Sequence, residues 1–265
     1  MVEVVGEMGW LKFSMVGEPA GDYGLVIAGY PGVANVGAGV VTYLSEELGA
    51  EPLARLYSEY LFLPGNVAGI SISEDGSFEL PSIDIYHTRE EVSGVGRLLL
   101  VTSQVQPVPW GQLEVASKLL GHLKSLGASS LLVVTGFADP DIAGRVLAFG
   151  THSDLLQRLV SAGAEEKTPM KSIVGLAGAT LASAKLFGLP YVSLTGVSET
   201  SAPDFKAAGE VLKVLNSALD LQLNLESIER RIREFEEMKR SILRQLEEQI
   251  SSMTSPGSDE TGYVG

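Results

Sequence analysis

Between Tyr23 and Leu48 an apolar run, Leu25-Val26-Ile27-Ala28, breaks into Gly29-Tyr30-Pro31-Gly32 and then into apolar residues three and four apart. The run has no alternation, which is the pattern of a strand covered on both faces, and the glycines and proline end it. Asn35 stands where it can cap a helix. Val36, Val40, Tyr43 (or Leu44) and Leu48 then share one helical face, and Gly49 closes the helix. Gly37 and Gly39 would let the first helical turn approach a neighbouring strand closely. The first amides of a helix have no internal partner and sit at the positive end of its dipole, so this elbow could also hold a phosphate or carboxylate. Gly32, Asn35 and Gly37 are the residues of such a cradle.

The run Gly37-Ala38-Gly39-Val40-Val41-Thr42 is not a dinucleotide fingerprint. It begins about seven residues after the strand ends, inside the expected helix, whereas the fingerprint places its first glycine at the strand end. No Gly-Lys-Ser or Gly-Lys-Thr phosphate loop is present.

The chain has 265 residues, 45% of them hydrophobic, which suffices for one large domain with an appendage. Its formal charge of −14 argues against nucleic acid and anionic membranes as partners, because such surfaces repel an acidic protein. With no cysteine there is no disulfide framework, thiolate nucleophile or cysteine metal site. No secretory signal or membrane span precedes the fold, so a cytoplasmic protein is expected.

Further along, residues 53–63 read as a strand stopped by Pro64-Gly65. Residues 67–80 read as a hairpin turning at Asp75-Gly76. Ile83, Ile85 and Tyr86 continue with strand character, and residues 97–102 form another buried strand. A helix is expected over 110–126, a strand over 131–135, a helix around Leu155 to Val160, a small-residue segment over 174–186 that turns helical in its second half, and a last strand over 191–195. Strands alternating with helices specify an α/β three-layer sandwich, and the hairpin makes its mostly parallel sheet a mixed one.

From Val211 a spacing of threes and fours runs through Val214, Ala218, Leu221, Leu225, Ile228, Ile232, Phe235, Lys239, Ile242 and Leu246, apolar at every position but Lys239. That heptad seam predicts one long C-terminal helix of roughly 50 Å at 1.5 Å per residue. Interleaved charges along it add only about 0.3 to 0.5 kcal/mol per pair. Each Ile or Leu left exposed would forgo about 1.5 to 3 kcal/mol. The seam therefore needs a partner, and Leu225, Ile228, Ile232, Phe235, Ile242 and Leu246 are the expected contacts of a homo-oligomer. The domain reading is a core over 1–222, a heptad helix over 223–250, and a mobile tail over 251–265 with Tyr263 and Val264 near its tip.

No catalytic set emerges. His87, His122 and His152 are widely separated, lack metal-ligand spacing such as His-Glu-x-x-His, and read as solvated or core-satisfied. No Gly-x-Ser-x-Gly nucleophile elbow exists. Asp84 with His87, and Asp139 with Asp141, fall in expected loops at strand ends. No metal and no cofactor is expected.

Gly29-Tyr30-Pro31-Gly32-Val33-Ala34-Asn35-Val36-Gly37 between strand and helix resembles the opening of the proteasome assembly chaperone family, in its second branch and archaeal homologues. Gln104-Val105-Gln106-Pro107, Gly136, Gly175-Leu176-Ala177-Gly178-Ala179, and Asp204 with Ala207-Ala208 follow in that family's order, over roughly residues 20–222. The family's Asp-Pro before the last core helix is Asp204-Phe205 here. The resemblance implies a phosphorylase/hydrolase-like sandwich without an established active site that binds proteasome α-subunits. It also implies docking by a C-terminal tripeptide of a hydrophobic residue, tyrosine and any residue. Here Tyr263-Val264-Gly265 ends the chain, so Val264 takes the usual tyrosine position. The alternative is an enzyme acting on a small phosphorylated or nucleoside-like substrate through the elbow of residues 31–39.

Overall fold

The computed structural model describes residues 10–62, 71, 72, 74–92 and 94–254. They fall into two units, Met1–Asn224 and Leu225–Gly265.

The first unit is built on a nine-stranded sheet. Its strands are β1 (Leu11–Met15), β2 (Tyr23–Gly29), β3 (Glu51–Ser58), β6 (Ile83–His87), β7 (Arg97–Ser103), β8 (Leu131–Ala138), β9 (Val146–Gly150), β10 (Glu165–Glu166) and β11 (Tyr191–Ser198). Across the sheet they run β1-β3-β6-β7-β2-β8-β11-β9-β10. The centre, β7-β2-β8-β11, is parallel. The β1, β3 and β6 strands join antiparallel on one side, and β9 does so on the other. A separate pair, β4 (Ser71–Ile72) with β5 (Phe78–Glu79), forms the hairpin at Asp75-Gly76, with Gly76 at φ 81. The rest of that expected hairpin lies outside the described residues.

The apolar run predicted to be covered on both faces is so: Leu25, Val26, Ile27 and Ala28 are buried. On one face α2 (Gln112–Ser125) and α4 (Gly175–Leu186) pack on a core of Val26, Ala28, Leu99, Val101, Leu131 and Val133. On the other lie α1 (Val36–Glu47), α5 (Phe205–Leu219) and α3 (Ser153–Ser161). Helix α4 spans the whole small-residue segment, beginning at Gly175 with φ 78, so the expectation of a helix confined to its second half is corrected. The β9 and β10 strands have no counterpart in the sequence reading.

The seam from Val211 is not one helix. Helix α5 ends at Leu219, and α6 (Leu225–Thr254, 30 residues) begins after a link in which Asp220 (φ 52) and Gln222 (φ 55) are left-handed. The reason is a second pattern laid over the first: Leu219-Asp220-Leu221-Gln222-Leu223-Asn224 alternates, which is extended rather than helical spacing. Leu219, Leu221 and Leu223 are buried while Asp220, Gln222 and Asn224 are exposed. Val211, Val214 and Ala218, read as seam, belong to the buried core.

Asn216 clamps the link. Its carbonyl accepts the amides of Asp220 and Leu221, and its side-chain Oδ1 accepts the Leu223 amide at 2.8 Å. Asn216→Ala removes that last bond and is expected to cost about 1 kcal/mol in a urea unfolding curve.

Candidate functional site

Parallel strands place their carboxyl ends, and the loops that follow, along one edge of the sheet, where open α/β sheets bind ligands. Here the loops after β2, β7 and β11 meet the first turns of α1, α4 and α5. The predicted elbow lies at their centre.

After Gly29 the chain passes through a 3-10 turn, Val33–Asn35, into α1. Ala34 (φ 54) and Asn35 (φ 52) are both left-handed. That conformation costs an ordinary L-residue roughly 1 to 2 kcal/mol, and less for asparagine. Hydrogen bonds offset it: Ala34 N–H donates to Ser201 O at 3.1 Å, Asn35 N–H to Gly32 O at 3.0 Å, and Asp204 N–H to Ala34 O at 2.9 Å. The Val36 amide donates to Val33 O. Asn35 occupies the cap position, yet its side chain makes no capping bond, because left-handed backbone replaces the extended conformation a capping side chain requires.

The glycines are explained by close backbone approach. A Cβ added to Gly29 would lie 2.1 Å from Gly37 O, one on Gly37 2.6 Å from Val134 O, and one on Gly136 2.0 Å from Val33 O. Gly39 differs. Its Cβ would face Ala208 Cβ on α5 at 4.0 Å, so the expectation that it lets α1 approach a strand is corrected. Gly32 is extended (φ −176), and a Cβ there would meet nothing closer than 3.9 Å.

Two side chains close the remaining helix ends. Gln106 Nε2 donates to Pro31 O, while its Oε1 accepts the Leu176 amide in the first turn of α4 at 2.9 Å. Asp204 accepts the Ser198 hydroxyl at 2.6 Å and the amides of Lys206 and Ala207, at 2.9 and 3.1 Å, in the first turn of α5. The amides of Ala34, Asn35, Val36, Leu176, Lys206 and Ala207 are thus spent on the chain's own oxygens. Tyr30, fully buried beneath the elbow with Thr180 Oγ1 3.5 Å from its hydroxyl, is held above the usual phenol range by burial. Sequence reasoning marked Gln106 and Asp204 only as landmarks. The closing role of Gln106 follows from contacts 75 and 70 positions away that no local pattern carries, whereas Asp204 is a local cap on the helix that follows it.

The other candidates are dispersed. Asp84 and His87 lie within β6 and not in a loop, since the alternation of Ile83 and Ile85 continues through both. Asp84 is 3.4 Å from Arg55 Nε and accepts the Ser82 hydroxyl. Asp139 accepts the Asp141 amide and caps a 3-10 turn. Buried His87 meets Tyr23, half-buried His122 stacks on Phe13 with centroids 4.1 Å apart, and half-buried His152 accepts the Leu155 amide at Nδ1. Among the described residues no cluster of His, Cys, Asp and Glu could hold a metal, and no helix is long and apolar enough to cross a membrane. The seam residues Leu225, Ile228, Ile232, Phe235, Ile242 and Leu246 all lie on α6, whereas Tyr263, Val264 and Gly265 lie outside the described residues.

A nine-stranded mixed sheet between helix layers, with Gln106 and Asp204 bonded to the first turns of α4 and α5 at the carboxyl ends of its parallel strands, defines an α/β sandwich. The chain belongs to the PAC2 family, whose model matches residues 26–243. It is similar to Pyrococcus furiosus PbaB, an archaeal proteasome activator, at 29% identity, with 89% of this chain and 99% of that one covered and a TM-score of 0.77. Pyrococcus furiosus PbaA, an archaeal homolog of proteasome-assembly chaperone, shares the fold at 24% identity, 92% and 95% coverage and a TM-score of 0.71. The uncharacterized protein MJ1210 of Methanocaldococcus jannaschii is 26% identical over 246 residues, 91% of this chain and 92% of its own.

Proposed function

We propose that this protein is a non-enzymatic, cytoplasmic assembly chaperone or adaptor that binds proteasome α-subunits as a homo-oligomer. The observation that carries this reading is the closed elbow. The amides of Ala34, Asn35, Val36, Leu176, Lys206 and Ala207 all have acceptors within the chain. An enzyme acting on a small phosphorylated or nucleoside-like substrate through Gly32, Asn35 and Gly37 would need such donors unspent, together with a general base. Likeness to PbaB, a proteasome activator, supplies the partner class. The reading needs no cofactor.

Docking is assigned to the C-terminal Tyr263-Val264-Gly265, with oligomerisation through α6. A tyrosine brings a large apolar area and a hydroxyl that takes a partner when buried. Several tails on one oligomer add avidity without new contacts. Full-length protein, Tyr263→Ala and a chain lacking residues 262–265 are to be compared for binding to purified proteasome α-rings. Both variants are expected to bind about tenfold more weakly or worse. Equal binding by all three would remove the tail from the interaction, and no binding by any would overturn the partner assignment.

A further inference from the structure

Tyr23 opens β2 and His87 ends β6, with β7 between them in the sheet. Both side chains are buried, and Tyr23 Oη lies 2.8 Å from His87 Nδ1. The same Oη accepts the amide of Ala20, in the linker between β1 and β2, at 3.1 Å. A phenol carries one hydrogen. Pointing that hydrogen at Nδ1 satisfies both buried groups at once: Nδ1 is then the acceptor and the ring is neutral with its proton on Nε2.

We propose that this pair is a proton-operated latch: neutral His87 fixes the Tyr23 hydroxyl and through it the linker of residues 16–22, and a proton on Nδ1 releases that linker. Protonation turns Nδ1 into a donor. Tyr23 Oη would then face two donors, His87 and Ala20, while its own hydrogen loses its acceptor. Giving up the Ala20 bond to water relieves the conflict at least cost, since the linker lies at the surface beside β1, the edge strand of the sheet.

The charged surroundings act in both directions. From β3, Glu51 lies opposite His87 in register and favours the proton. Arg89, two residues beyond His87 and bonded to Glu51 at 2.8 and 2.7 Å, opposes it. Arg97 from β7 acts on Tyr23, and Glu18 from the linker acts on Arg89. The core on this face takes uncharged Leu119, Leu120 and Leu123 from α2, whose His122 is stacked on Phe13. Burial is the largest influence, followed by Arg89, and together they hold His87 below its ordinary value of 6.5. A ring that binds its proton less tightly when folded than when unfolded adds stability that is present above that ordinary value. The contribution is lost as pH falls through the lower folded one.

The test follows the Ala20 amide by NMR hydrogen exchange on the full chain, corrected for intrinsic rates, with the His87 ring signals read in the same samples between about pH 7.5 and 5. Ala20 protection is expected to fall about tenfold as the ring titrates, while Val26 and Leu132 in the sheet centre keep theirs. His87→Gln, which offers a carbonyl acceptor at every pH, should keep Ala20 protected in acid. The latch is overturned if Ala20 protection stays constant through the His87 titration, if the ring does not titrate in this range, or if His87→Gln loses protection as the wild type does. Should that variant fail to fold, the paired wild-type curves decide alone.

Discussion

Gly37→Ala is expected to lower the unfolding free energy by about 1 to 3 kcal/mol, the usual cost of forcing an extra carbon into a packed interior. The added Cβ would stand 2.6 Å from Val134 O, 3.0 Å from Tyr30 O and 3.1 Å from Tyr30 N. All three are backbone atoms of strands β2 and β8 or their immediate continuation. They cannot swing aside as the end of a long side chain could, so either α1 lifts from the sheet or the elbow distorts. For a domain of this size about 2 to 4 °C is lost per kcal/mol. Gly39→Ala, two residues on in the same helix, is the control: its Cβ meets only Ala208 Cβ at 4.0 Å. There alanine should be neutral or gain up to about 1 kcal/mol from its higher helix propensity. Urea unfolding of both variants separates a packing glycine from a glycine that is merely helical. An unchanged Gly37→Ala melting curve, together with loss of binding to a nucleotide or sugar phosphate, would mark the elbow as a ligand site instead.

Why the elbow was readable, and the Val146–Gly150 strand and the link after α5 were less so, comes down to the range of the signals. Leu25 to Ala28, the glycine break and the spacing from Val36 are local, and each maps onto one element. The Val146–Gly150 strand is equally apolar but only five residues long, so neither length nor alternation distinguishes it from a loop until its pairing with β11 is known. From Ala218 to Leu225 two periodicities coexist. The three-and-four spacing favours a continuous helix, and the alternation of leucine with Asp220, Gln222 and Asn224 favours an extended link. Burial of Leu221 and Leu223 decides for the second, since a helix would place leucines two apart on different faces. The closure by Gln106 joins residues 75 and 70 positions apart, so the sequence could mark the residue without its role.

Ile232→Asp is expected to dissociate the oligomer proposed through α6. A helix of 30 residues, about 45 Å, gains most of its stability in a protein from packing of an apolar stripe rather than from propensity. Its own charges contribute little: Glu229 and Arg233 approach only to 4.0 Å with both side chains more than half exposed. The apolar stripe is not spent along its whole length, because Ile242 and Met238 remain about half exposed, at 49% and 53%. Placing a carboxylate in the Ile232 layer forfeits about 1.5 to 3 kcal/mol of burial in every subunit and adds the cost of desolvating a charge. Counted twice for a dimer, about 3 to 6 kcal/mol corresponds to a dissociation constant raised roughly 10²- to 10⁴-fold. Light scattering coupled to gel filtration should then show subunits, while near-ultraviolet circular dichroism keeps the signature of the folded sandwich. Arg233→Ala, on the charged face of the same turn, should leave the assembly intact. A monomeric wild type, or an oligomer indifferent to Ile232→Asp, would remove α6 as the contact and leave any self-association to the sandwich.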